Sequence, residues 1–394
     1  MRAGSSRYVR SREFITFEKR YYRYMIHKVK ISNFKSINEL ELELGRVNVL
    51  IGENGCGKTN ILEAIALGSV AADGGYNDAV LAMRGVRITE AHLMASLFAQ
   101  NKDKTSIIFF NKENKQLETG RIYDDNNALV HSGKFHAYAN YESPTLHQVQ
   151  EQKNIDSYKN RTAITQLFGD DQLLSFCIFQ PENRCLRRFE DEGKNKPLGI
   201  RGEGLFKHLL LLHKKHPDII RSISQQLRLI DSFLDFEIPN DLVFTEKRLN
   251  IRDKYLEDFK YFDQNSMSEG FLRLLFYFTL FISPYTPRFF AIDNIDAGLN
   301  PKLADKLITV LTKLAKEHNK QFIATAHNPA LLDGIDLKDD AQKLLVVYRN
   351  IDDETIACKV RPPRKVKGVE PVRTSEAFIR GYLGGLPNNF STHV

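Results

Sequence analysis

Tryptophan is absent from this 394-residue chain, and cysteine is scarce: Cys56, Cys177, Cys185 and Cys358 lie so far apart that no CxxC pair occurs. Zinc ribbons and disulfide frameworks need paired cysteines, so neither organises this fold, and a reducing cytoplasm is the expected setting. His131, His136 and His147, in the middle of the chain, show no metal-ligand spacing. Long apolar runs are missing too. The most hydrophobic helical stretch, LRLLFYFTLFI (272–282), is about half of the roughly 20 residues that a bilayer crossing needs, and reads as a buried core helix. No repeat and no sustained heptad is present.

The composition, 42% hydrophobic and 27% charged, suits one large α/β domain with an insertion, or two domains. The net charge of +7 is unevenly spread: the first 24 residues carry +5 of it, from Arg2, Arg7, Arg10, Arg12, Lys19, Arg20 and Arg23 against Glu13 and Glu18. Such a leader is a solvated, disordered extension or a DNA-binding arm, and the former is preferred. Met25, which opens the first ordered strand, is a candidate natural start.

From Met25, IHKVKISNF and the alternating LELEL (40–44) predict partner strands, and RVNVLIG (46–52) predicts a strand running into a glycine-rich turn. TNILEAIALG then predicts a helix ending at Gly68. Further on, TSIIFF (105–110) predicts a strand and residues 204–230 a helical stretch. Beyond 270 the expected order is helix 271–281, strand 288–292, helix 301–317, strand 321–326 and strand 343–349. Asn300 and Pro301 supply an N-cap and first turn for the second of these helices, and Leu303, Leu307, Val310, Leu311 and Leu314 its apolar face. Alternating strands and helices imply a largely parallel, covered sheet.

GENGCGKT (52–59) fits G-x-x-x-x-G-K-[ST] between a strand and a helix. There backbone N–H groups and the helix dipole cradle phosphates, Lys58 reaches the β- and γ-phosphates, and the Thr59 hydroxyl binds Mg²⁺. Asp293, ending RFFAID, is the strand-end acid that can hold such a metal. NSMSEGFLRLL (265–275) opens a helix at Ser268, Glu269 and Gly270, whose N-terminus suits an anion. AGLNP (297–301) and TAHNP (325–329) follow in order.

This ordered set resembles the ATP-binding-cassette class of P-loop ATPases, within the group of the structural-maintenance-of-chromosomes (SMC) proteins, RecF and the overcoming-lysogenization-defect nucleases. The resemblance covers roughly residues 25–68 and 262–350. SNFKSI, IGENGCGKTN, SEGFLRLL, ATAHNPALLDG and SEAFIRGYLGGLPNNF are further similar to the compact ATPases of bacterial antiphage operons, such as the ATPase subunit of Septu. The resemblance implies an α/β ATPase head with a largely parallel sheet, an antiparallel N-terminal strand region and a mainly helical insertion. It also implies a head-to-tail homodimer or higher oligomer. ATP would lie between Glu53, Asn54, Gly55, Cys56, Gly57, Lys58, Thr59 and Asn60 of one subunit and Ser268 to Gly270 of the other, with Mg²⁺ on Thr59 and Asp293. Asn33 and Lys35 would lie near the nucleotide, and His327 would sense the γ-phosphate.

In that family a glutamate follows the acid at Asp293, whereas here Asn294 stands in its place. An amide orients water but takes no proton from it, so hydrolysis should be weakened, typically by about 10²–10⁴-fold. Asp296 is a substitute base or a packing and capping residue. Only residues 60–265 separate the phosphate loop from Ser266, too few for a long coiled-coil arm and its return. After His327, Asp336, Asp339, Asp340, Asp352, Asp353 and Glu354 fall in polar turns, so a separately encoded nuclease or effector is the expected partner, with DNA a further candidate ligand and no membrane contact. A RecF-like repair ATPase is the alternative. The expected organisation is a basic extension (1–24), an N-terminal lobe (25–110), an insertion or lid (111–260), a C-terminal lobe (261–350) and a tail for partner docking (351–394). RPPRKVKGVEPVR (361–373) is a docking loop or an exposed linker, and Cys56 an oxidation-sensitive thiol or a space-filler.

Overall fold

The computed structural model describes residues 25–74, 78–89, 91–96, 98, 104–122, 134–140, 157–169, 172–190, 198–239, 246–255, 261–362 and 372–385. The basic extension, His131, His147 and most of the 361–373 segment lie outside them, as does the side chain of His136.

Strands β1 (Lys28–Phe34), β2 (Ile37–Glu43) and β3 (Val47–Ile51) precede β4 (Lys104–Phe110), β5 (Gln116–Ile122), β6 (Lys134–Asn140) and the short β7 (Ile178–Phe179). After them come β8 (Phe233–Glu237), β9 (Asn250–Asp253), β10 (Phe289–Ile292), β11 (Gln321–Ala326), β12 (Gln342–Arg349) and β13 (Thr355–Lys359). Among the described residues they form two main sheets. The first is antiparallel, in the order β2-β1-β4-β5-β6. The second, β13-β12-β3-β11-β10-β7, is parallel except for its β12–β13 hairpin. β3, β10 and β11 are buried at every position, as strands covered on both faces must be.

The helix Lys58–Asp73 follows β3 and lies between the two sheets. Its side chains share one core with the inner face of the antiparallel sheet and one face of the other. That position explains why it is apolar nearly all round. The opposite face of the parallel sheet packs against the helices Leu205–Lys215, Pro217–Leu227, Glu269–Ile282 and Pro301–Glu317 in a second core. The fold is therefore α/β, with a mainly parallel sheet and an antiparallel N-terminal one.

Three expectations change. Gly68 does not end its helix, which runs to Asp73 and closes on Gly74 in the left-handed region. A Cβ at Gly68 would come within 2.8 Å of the Phe109 ring and 2.9 Å of Thr119 Oγ1, so this glycine allows close helix–sheet packing. The 204–230 stretch is two helices broken at His216, because Pro217 lacks an N–H and bars its predecessor from helical angles. β5 and β6 continue the sheet of β1 and β4, so the antiparallel layer extends past residue 110 into the segment read as an insertion.

Candidate nucleotide site

The Gly52–Thr59 loop joins β3 to the N-terminus of its helix, where free backbone amides and the helix dipole face any ligand. Gly55 (φ 78°) and Gly57 (φ 107°) adopt angles that side chains rarely take. A Cβ at Gly57 would sit 2.1 Å from Thr355 Oγ1, because the β12–β13 hairpin presses on the loop from behind. There Asn60 Nδ2 donates to Ser36 Oγ (2.7 Å), Ser36 meets Thr355 Oγ1 (2.7 Å), and Thr355 donates to the Cys56 carbonyl (3.0 Å). No motif marks Thr355 in the sequence, and only the fold brings it to the loop.

Lys58 is buried and folds back onto its own loop, donating to the carbonyls of Gly52 and Glu53 at 2.8 Å each. Burial lowers its pKa. An anion at the loop gives this ammonium a better partner than neutral carbonyls. Cys56, 1% exposed, fills space beneath Gly52, and its thiol pKa is raised by burial, which fits the space-filling reading.

Thr59 Oγ1 lies 3.2 and 3.4 Å from the two carboxylate oxygens of Asp293, at the end of β10. A hydroxyl and a carboxylate are hard oxygen donors that suit Mg²⁺. Thr325, at the end of β11, donates to Asp293 Oδ1 and accepts from the Asn294 amide at 2.8 Å. Asn294 takes φ 55°, and its side chain makes no hydrogen bond among the described residues. Asp296 Oδ2 accepts the backbone amides of His327, at 2.9 Å, and of Asn328. Capping the loop that begins at His327 is thus what its carboxylate does here. His327 is exposed at the head of that loop, and its pKa is lowered first by desolvation and then by the Lys58 charge.

Asn33 departs from expectation. Its buried side chain donates to the Lys104 carbonyl (2.9 Å) and accepts from the Ser96 amide (2.7 Å), so it pins the β1–β2 turn to β4 instead of facing a ligand. Lys35 is held at 2.7 Å by Glu63, a fully buried acid that also binds Arg87 at 2.7 Å. Desolvation lowers the Lys35 pKa. Lys35, Ser36, Asn60, Arg87, Phe98 and Arg349 line a cleft of about 420 Å³ beside the phosphate loop, whose Gly55 carbonyl accepts from Arg349. Arg87 and Arg349 carried no motif in the sequence. A second cleft of about 380 Å³, with Asp73, Arg84, Cys177 and Tyr285 in its wall, shares no residue with the loop.

Ser268 caps the Glu269–Ile282 helix by accepting the Phe271 amide at 3.2 Å. Arg187, from the helix Asn183–Arg188, donates to the Asn265 and Met267 carbonyls and steadies the approach to it. Gly270 and Gly298 pack together: a Cβ at Gly270 would lie 3.2 Å from the Gly298 carbonyl, and one at Gly298 2.9 Å from the Glu269 side chain. Among the described residues, no hydrogen bond joins Ser268, Glu269 or Gly270 to the phosphate loop of the same chain.

Residues 47–333, well over half of the chain, match the family described as "AAA domain, putative AbiEii toxin, Type IV TA system". The chain belongs to this family. It is an AAA-type P-loop ATPase domain, and nucleotide use goes with that membership. It is 32% identical over 106 residues to the DNA replication and repair protein RecF of Rickettsia rickettsii, covering 27% of this chain and 28% of that protein. It is 52% identical over 44 residues to the DNA double-strand break repair Rad50 ATPase of Methanopyrus kandleri, covering 11% of this chain and 5% of that one. The chain thus spans between 5% and 28% of the curated relatives named first. A solved Smc head, bound to the C-winged helix domain of ScpA, superposes with a TM-score of 0.52 at 15% identity, over 85% of this chain and 97% of that one. The fold of this ATPase domain is SMC head-like. Among the described residues no helix is long and apolar enough to cross a membrane, and no group of three or more His, Cys, Asp or Glu is placed to hold a metal.

Proposed function

We propose that the chain is an ATP-binding switch whose hydrolysis is slow, acting by nucleotide-gated self-assembly. The observation that carries this reading is Asn294 beside the Thr59–Asp293 pair: a hydroxyl and a carboxylate suited to a metal lie next to the Gly52–Thr59 loop, and the position of a general base holds an amide. Gly55, Gly57, Lys58 and Thr59 would hold the phosphates, and Thr59 and Asp293 would hold a Mg²⁺ ion, which would supply charge neutralisation there. Lys35, Arg87 and Arg349 lie where they can contact the remainder of the nucleotide. Glu53, Asn54, Cys56 and Asn60 contribute backbone or loop support.

Ser268 and Gly270 make no bond to the phosphate loop of their own chain, and a second copy, docked head to tail, supplies them to the γ-phosphate. Asn294 orders the attacking water, His327 reads the γ-phosphate, and Asp296 acts through the His327 loop instead of as a base. ATP then holds two heads together until it is released.

The assembled heads control a separately encoded nuclease or effector in a cytoplasmic antiphage system. The toxin and the toxin–antitoxin system in the family's description support this setting. The similarity to RecF and Rad50 favours a second reading, a DNA-binding repair ATPase. The readings separate on two measurements. A switch of the first kind becomes dimeric on adding ATP and Mg²⁺, and binds DNA weakly without its partner. A repair ATPase binds DNA alone, with affinity that falls steeply as salt rises. Size-exclusion chromatography with light scattering, with Lys58→Ala as control, tests the assembly. A species that stays monomeric with saturating ATP overturns the switch.

A further inference from the structure

Thr325 lies two residues before His327 and carried no assignment in the sequence, yet it ties together the two residues on which the chemistry depends. It is fully buried at the end of β11, next to β10 in the parallel sheet. Its hydroxyl accepts the Asn294 amide at 2.8 Å with one of its lone pairs and gives its proton to Asp293 Oδ1. The Ile295 amide donates to the Thr325 carbonyl at 3.0 Å, so side chain and main chain grip the same turn. Asp293 Oδ2 is the carboxylate oxygen nearer to Thr59.

We infer that Thr325 is a positioning residue: it fixes one oxygen of Asp293 so that the other would be free for a metal held with Thr59, and it pins the left-handed turn that presents Asn294. This deepens the nucleotide reading above and rests on it. Two features set the hydroxyl apart from ordinary core packing. A valine of the same shape would fill the volume equally well, and it would leave both Asp293 Oδ1 and the Asn294 amide without this partner. A carboxylate that has lost an orienting hydrogen bond holds its metal less well, typically by about 10–100-fold.

The test compares ATP binding by the full chain in MgCl₂ and in EDTA, by calorimetry, for the wild type, Thr325→Val, Thr325→Ala and Thr325→Ser, with thermal melts to establish folding. The expected result is that Mg²⁺ tightens ATP binding by the wild type. Thr325→Val and Thr325→Ala lose about 10–100-fold of that tightening with EDTA affinities within about twofold of wild type, and Thr325→Ser retains it. A valine variant that keeps the full Mg²⁺ effect overturns the proposal. So does one that weakens binding equally with and without Mg²⁺, which would mark a general packing role. A wild type that binds ATP in neither condition overturns the nucleotide reading itself, and the proposal with it.

Discussion

Replacing Asn294 by glutamate sets two effects of different size against each other. A positioned general base is worth about 10²–10⁴-fold, or roughly 3–5 kcal/mol of barrier. Against this stands the backbone: residue 294 sits at φ 55°, a region where asparagine is enriched and other side chains cost roughly 1–2 kcal/mol. That cost falls on the stability of the turn and the gain on the transition state, so they appear in different assays. Asn294→Glu should raise single-turnover phosphate release by at least about tenfold while lowering the melting temperature by a few degrees. Asn294→Asp tolerates the left-handed backbone, so it should melt like the wild type and gain less in rate, its carboxylate being one methylene short. Enzyme in excess over radiolabelled ATP, quenched over minutes to hours, measures the first quantity. If Asn294→Glu folds, binds ATP and gains nothing, the missing base is not what limits turnover, and the assignment of Asn294 to that role is refuted.

Two further predictions concern the frame that holds the site. Gly68→Ala inserts a methyl group against Phe109 and Thr119, so overpacking of about 1–3 kcal/mol outweighs the roughly 1 kcal/mol that alanine gains in a helix; urea unfolding should show a net loss, and a gain would contradict the packing role of Gly68. His208, buried and bonded to Ser283 at 2.8 Å, has its pKa pushed down to about 4 by burial, with the Lys320 charge adding to it. Because the folded pKa lies below the unfolded one, stability is intact above about pH 6.5 and falls as pH drops from there toward about 4, by an order of 3 kcal/mol in all. Urea midpoints at pH 7.5 and pH 5 should show this loss, and His208→Gln should flatten it; an equal slope in the variant would assign the acid sensitivity to other groups.

The site was legible where chemistry demands a fixed spacing. The phosphate loop, Asp293 and the Asn300 cap, whose side chain accepts the Leu303 amide at 2.9 Å, stand where the motifs put them. Local rules failed where a distant contact overrides them. Gly68 has the form of a helix end, and only the approach of β4 shows that it is a packing glycine. Asn33 has the polarity of a ligand contact but spends it on β4. Thr325 and Thr355 lie far along the chain from the residues they support, so no window of sequence contains both partners. The segment read as an insertion begins inside a sheet: NKENK (111–115) is polar enough to look like a boundary, and only the pairing of β4 with β5 shows that it is a hairpin turn.

The most direct test of an ATP-binding switch is ATP binding and single-turnover hydrolysis by the purified chain in Mg²⁺, with Lys58→Ala alongside. The expected result is that the wild type binds ATP and releases little phosphate, and that Lys58→Ala, lacking the buried ammonium at the loop, binds far more weakly. Brisk phosphate release by the wild type would contradict it, and would put a cycling, RecF-like ATPase in its place.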